Sequence, residues 1–128
     1  MKRNRFLVDT NVFIWWMEEN KRLPKDLYKL LNDPNNQVFL SVASIWEIIL
    51  KLGKKKLKLP QTVEEGISAS GFKPLPIETA HVLAIRNLPN YHQDSFDRII
   101  ISQAGAEKLT VITSDKKIWK YKIDLLKF

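Results

Sequence analysis

An α/β sandwich, with a short parallel sheet covered by helices on both faces, is the fold this chain predicts. Three observations carry the prediction. Phe6-Leu7-Val8, Val38-Phe39-Leu40 and Leu109–Thr113 are short apolar or β-branched runs, as expected of strands buried on both faces. Between them lie longer segments with apolar residues three and four apart, the spacing of a helix face. Strands alternating with helices are the pattern of parallel strands joined by helical crossovers.

Taken in order, Phe6 to Val8 opens the sheet and Val12 to Glu18 reads as a first helix. Leu23 to Leu31 reads as a second, with Leu23, Leu27, Leu30 and Leu31 on one face. Asp33-Pro34-Asn35-Asn36 has turn chemistry, and Val38 to Leu40 is the second strand. A third helix is expected from Ser44 through Ile45, Ile48, Ile49 and Leu52, ended by Gly53. Ser44 and Glu47 have capping-box spacing, which would place Glu47 in the first turn. Thr62 to Ser70 is expected to be helical, and Phe72 to Pro76 extended, with room for a short edge strand before the prolines. A helix over 78–88, a loop over 88–93 and a strongly apolar helix over 96–108 lead to the third strand. With no repeat and no linker-like stretch, residues 1–128 are expected to form one domain.

Composition narrows the function. The chain is 45% apolar and 27% charged, an ordinary globular balance, and no apolar run approaches the roughly 20 residues of a membrane span. The start, Met1-Lys2-Arg3-Asn4-Arg5, is basic, but the apolar stretch after it is short and contains Asp9, so it is not read as a secretory leader. The absence of cysteine excludes disulfides, thiol catalysis and cysteine-held zinc, and suits a reducing, cytoplasmic setting. A net charge of +7 favours polyanionic partners, nucleic acid or an acidic protein, although solubility accounts for it equally well.

Within this basic chain, four acids fall where a parallel sheet places its sites, beyond the carboxyl ends of the strands. Asp9 ends the first strand, Glu47 and Asp97 open helices, and Asp115 follows the third strand. Each has a local explanation. Asp9 suits a helix cap, Glu47 a capping box, Asp97 a helix dipole and Asp115 a turn. Together they point further. Two carboxylates ~4 Å apart repel by about 4 kcal/mol at an effective dielectric of 20, so a convergent cluster should hold a proton or a cation. Oxygen ligands without cysteine, and with only two histidines in the chain, suit Mg²⁺ or Mn²⁺.

The segments "FLVDTNVFIWW", "SVASIWEIILKLGKKKL", "GFKPLPI", "LPNYHQDSFDRIIISQA" and "TVITSDKKIWKY" resemble, in order, the motif blocks of PIN-domain proteins. They look most like the VapC-type toxin ribonucleases of toxin–antitoxin pairs, over Phe6 to about Tyr121. The resemblance implies a three-layer α/β/α sandwich with a short central parallel sheet, and Mg²⁺- or Mn²⁺-dependent endoribonuclease activity. Asp9, Glu47, Asp97 and Asp115 match the family's catalytic, metal-holding acids. Products ending in 5′-phosphate and 3′-hydroxyl, a cognate antitoxin and a homodimer are also implied. Ser95 departs from the proline common in the D-P-F-D-R block, which is expected to loosen the loop without touching the acids.

Around the acids, Thr10, Asn11 and Ser114 are candidates to orient carboxylates or waters, or simply to cap and turn. Arg98 is expected either to grip phosphate or to neutralise an acid, Asp94 to support the acids or, in preference, to cap a helix, and His92 to be a loop residue without a ligand partner. Lys51, Lys54, Lys55, Lys56 and Lys58 follow Glu47, and Lys116, Lys117, Lys120 and Lys122 follow Asp115. They are read as an RNA-holding rim or as a solvated face. Trp15, Trp16 and Trp46 are expected to pack in a core or dimer interface, with Trp119 open to a stacking role. Three other functions compete. A phosphotransferase using Asp9 would want a second Asp where Asn11 stands. A nucleotide-binding module would want a Gly-rich loop, yet the chain has only 4 glycines. A non-catalytic scaffold binding a protein partner or RNA would use the acids only as caps.

Overall fold

The first apolar run forms β1 (Arg5–Val8), the central strand of a five-stranded sheet in this computed structural model, which describes residues 4–128. Met1, Lys2 and Arg3 of the basic start lie outside the described residues. On one side of β1 lie β2 (Gln37–Ser41) and the edge strand β3 (Lys73–Leu75). On the other lie β4 (Thr110–Thr113) and the edge strand β5 (Leu125–Lys127). All four pairings are parallel, with Phe6 opposite Val38 on one side and Thr110 on the other.

Helices α1 (Thr10–Glu18), α2 (Lys25–Asn32), α3 (Val42–Gly53) and α4 (Val63–Ser70) come from the first two-thirds of the chain. They are followed by α5 (Thr79–Ala84), which runs into a 3-10 turn at Ile85–Asn87, and by α6 (Ser95–Glu107). Successive strand residues point to opposite faces, and the core divides accordingly. Val8, Leu40 and Ile112 meet Phe13 of α1, Leu27 of α2 and Val63 of α4. Leu7 and Val111 meet Ile100 and Ala104 of α6, with Ile118 and Tyr121. This is the expected three-layer sandwich. α3 serves both layers, Ile48 joining the first cluster and Ala43 the second. Among the described residues, no helix is long and apolar enough to cross a membrane.

The chain leaves β1 toward one edge, through β2 and β3, then crosses to β4 on the far side of β1. After β1 it enters α1 against one face, and after β4 it places Ile118 and Tyr121 against the other. The carboxyl ends of β1 and β4 therefore flank a switch point, where such sheets open a crevice.

Three expectations change. The third helix starts at Val42 rather than Ser44, because Ser41 already caps it by accepting the Ala43 amide at 3.0 Å. Glu47 thus belongs to the second turn and to no capping box. The predicted helix over 78–88 shortens to α5 and its 3-10 turn. β5 has no counterpart in the sequence reading, since its three residues are too few and too exposed to show a buried pattern. The suspected edge strand is present, with Pro74 where only an edge tolerates it.

Candidate metal centre

Asp9 caps α1 from an extended backbone, its Oδ1 accepting the Val12 amide at 2.8 Å. It is only 5% exposed, and its Oδ2 accepts from the hydroxyl of Thr113, the last residue of the neighbouring strand β4. The same hydroxyl accepts the Asp115 amide at 3.0 Å, so Thr113 ties the two acids that close the central strands. Asp115 in turn accepts the Lys117 amide on Oδ1 at 2.9 Å, a tight turn that leaves Oδ2 facing inward.

Asp97 arrives from the first turn of α6. Asp94 caps that helix as expected and accepts the Asp97 amide at 3.0 Å, which fixes the backbone below the carboxyl. Glu47 reaches in from α3. Its Oε2 pairs with Lys51 Nζ at 3.0 Å, one helical turn on, while Oε1 is buried and has no partner among the described residues. Four segments far apart in sequence thus bring their acids within electrostatic reach of one another.

The charges interact. Burial pushes the Asp9 carboxyl from 3.8 up to about 6, against the bonds from Thr113 and Val12 that favour its anion, and Asp115 and Glu47 add to the rise. Burial, then repulsion from Asp94, pushes Asp97 from 3.8 up to about 7. His92 pulls it down, while Glu47 and Asp9 push it further up. Without a cation, the crevice therefore holds protons into the neutral range. Four carboxylates that repel one another, with one buried oxygen that has no partner among the described residues, fit a hard divalent ion such as Mg²⁺ or Mn²⁺.

His92 is a loop residue, as expected, but it stands against two of the acids. Buried in the loop before α6, its Nε2 lies 2.9 Å from Asp115 Oδ2, in hydrogen-bond geometry, and also 2.9 Å from Asp97 Oδ2. Nothing local signalled this, because its partners stand 5 and 23 positions away. Thr113 was likewise read only as a strand residue. Of the expected helpers, Thr10 hydrogen-bonds Ser44 Oγ at 2.9 Å and so joins α1 to α3, Asn11 is exposed, and Ser114 is half-buried.

Arg98 meets neither expected role: its guanidinium donates to the carbonyls of Ile85, Leu88, Pro89 and His92 and to the Tyr121 hydroxyl, at 3.0–3.5 Å. It fastens the loop to α6. Lys51 pairs with Glu47, while Lys54, Lys55, Lys116 and Lys117 are exposed. Trp46 is 57% exposed, edge-on to Phe96, whereas Trp15 and Trp16 pack on the core as expected. Trp119 is half-buried and donates to the Thr113 carbonyl at 3.0 Å.

Replacing Thr113 by Val keeps its shape but strips a buried carboxylate oxygen of its donor. Thr113→Val is expected to lower stability by about 1–3 kcal/mol, read by urea unfolding.

An acidic crevice at the switch point of a parallel sheet, with donors suited to a hard cation, defines the class of α/β protein at hand. Residues 6–123 match the PIN domain, and the chain belongs to that family. Several solved structures share the fold. VapBC2 from Rickettsia felis, bound to a promoter DNA fragment, aligns at TM-score 0.69 with 18% identity, covering 96% of this chain and 98% of that one. A toxin–antitoxin complex from Klebsiella pneumoniae gives 0.67 and 22%, over 94% and 95% of the two chains. FitAcB from Neisseria gonorrhoeae gives 0.63 and 20%, over 95% and 96%. Comparison with curated proteins finds no match.

Proposed function

We propose that this chain is a Mg²⁺- or Mn²⁺-dependent endoribonuclease, the toxin of a toxin–antitoxin pair. The observation that carries the reading is the convergence of Asp9, Glu47, Asp97 and Asp115, whose charges act on one another, with Glu47 Oε1 buried and unpartnered among the described residues. Asp9, Asp97, Asp115 and Glu47 would hold the ion. When bound, a divalent ion supplies an activated water and a counter-charge for the phosphate and the leaving oxygen. The side chains do the rest. Thr113 keeps Asp9 and Asp115 together, the Asp94 cap aims Asp97 inward, and Lys51 steadies Glu47. The exposed Lys54, Lys55, Lys116 and Lys117 would supply a rim to hold the RNA backbone.

The partner we infer is a cognate antitoxin, supported by the Klebsiella pneumoniae neighbour being a toxin–antitoxin complex. Exposed Trp46, Ile49, Leu50, Val82 and Leu83 offer apolar area for protein contact, in keeping with an antitoxin or a homodimer. A second reading, a non-catalytic scaffold, draws on the local bonds that already satisfy both oxygens of Asp9.

Purified protein incubated with total RNA separates the two. Cleavage is expected with Mg²⁺ and none with chelator, leaving 5′-phosphate ends. Glu47→Gln is expected to slow it by more than the roughly 10- to 100-fold that follows loss of a group merely orienting a ligand. Unaltered cleavage by Glu47→Gln, or cleavage in chelator, would defeat the nuclease reading.

A further inference from the structure

We infer that His92 is a positioning residue that presents a proton, not a lone pair, to the crevice. On this reading it draws Asp97 and Asp115 together around one cation and keeps nitrogen out of the ligand set. The inference rests on the proposed metal site but not on RNA cleavage.

His92, Asp97 and Asp115 look at first like a metal-binding group, since one donor atom from each lies within 4.8 Å of the others. The other ring nitrogen decides the matter. His92 Nδ1 lies 3.1 Å from the Asp94 amide, which donates to it. A backbone amide can only donate, so Nδ1 must offer its lone pair, and the ring proton of the neutral imidazole sits on Nε2. An Nε2 that ligated metal would put hydrogen on Nδ1, donor against donor.

The ring is also held in place. The His92 amide donates to the Tyr121 hydroxyl at 3.0 Å, and its carbonyl accepts from Arg98 at 3.3 Å. Its backbone is pinned at amide and carbonyl, and turning the ring over would break the bond from the Asp94 amide and carry Nε2 away from the acids. Its Nε2–H points at Asp115 Oδ2, with Asp97 Oδ2 at equal distance. The all-oxygen ligand set left behind favours Mg²⁺ and Mn²⁺ over ions that seek imidazole, such as Zn²⁺.

The tautomer is read directly by long-range ¹H–¹⁵N correlation spectra of the wild-type ring, assigned by the signal missing from His92→Gln. The Nε2–H pattern is expected without metal, with Mg²⁺ and with Zn²⁺. An Nε2 resonance shifted to the metal-bound position by either ion would overturn the inference. Calorimetric titration with Mn²⁺ is the second readout. His92→Ala is expected to bind about 10- to 100-fold more weakly, and His92→Gln, which keeps an N–H donor, to recover most of that loss. Equal Mn²⁺ affinity in wild type and His92→Ala would overturn it too. Should His92→Ala fail to fold, the wild-type spectra still decide. A wild-type protein that binds Mn²⁺ yet leaves RNA intact would defeat the nuclease reading and leave the role of His92 standing.

Discussion

Asp97→Asn is expected to leave a folded, more heat-stable protein with no detectable metal-dependent RNA cleavage. The loss should exceed the roughly 10- to 100-fold that follows removal of a group merely orienting a ligand, because here the ligand itself goes. Asn keeps the size of the side chain and the backbone amide that Asp94 caps, so α6 should form unchanged. What disappears is a charge that the metal-free fold resists, since burial and the neighbouring acids hold the Asp97 carboxyl up at about 7. Above neutral pH, Asn is therefore the more comfortable residue in the absence of metal. The opposed changes in stability and activity make the signature diagnostic of a functional acid. Wild-type rates in a correctly folded Asp97→Asn protein would remove Asp97 from the site.

The second expectation is that the metal-free protein loses stability as pH rises from about 4 to about 7. Asp9 and Asp97 both titrate higher in the fold than their ordinary 3.8. The native state therefore binds protons that the unfolded chain releases, and the slope of stability against pH is negative across that window. Their contribution is fully present below about 4 and is lost as pH passes through about 6 for Asp9 and about 7 for Asp97. For Asp9 alone, a rise of about two pH units is on the order of 3 kcal/mol, or roughly 10 °C in Tm. Other carboxylates titrate as well, so the effect is read as the difference between wild type and Asp9→Asn. Adding Mg²⁺ should raise Tm at pH 8 and barely at pH 5, where protons hold the same oxygens. Identical metal-free pH profiles for the two proteins would show that Asp9 carries no such burden.

Much of this was legible in the sequence, for identifiable reasons. Strands buried on both faces must be apolar throughout, which is why Phe6–Val8 and Val38–Leu40 stood out and why the layers followed. Asp9, Asp97 and Asp115 drew notice because each lies just beyond a strand or in the first turn of a helix, and Asp9 and Asp94 do cap helices as their types suggested, whereas Glu47 sits a turn deeper in α3 than its spacing from Ser44 implied. What failed was whatever depends on contacts between remote segments. Ser41 and Ser44 are both plausible caps. Only the buried bond from Ser41 to Gln103, 2.6 Å long, shows how the true start of α3 is locked to α6. His92 looked idle because its meaning lies in Asp97, Asp115 and the Asp94 amide, which meet only after the loop closes. Arg98 looked like a partner for phosphate or for an acid because charge is visible in sequence, whereas carbonyl groups pointing at it are not.

The anchoring of that loop by Arg98 bears on how such a protein can diverge. Four of the five acceptors around the guanidinium are main-chain oxygens, and every amino acid carries one. The identities of the exposed Arg86, Asn87 and Asn90 are thus largely decoupled from the shape the segment holds, whereas Ile85 and Leu88 also pack on the core and Tyr91 stands edge-on to Tyr121. Lineages can rewrite those outward positions, and with them whatever touches the segment from outside, while the acidic site inherits the same geometry.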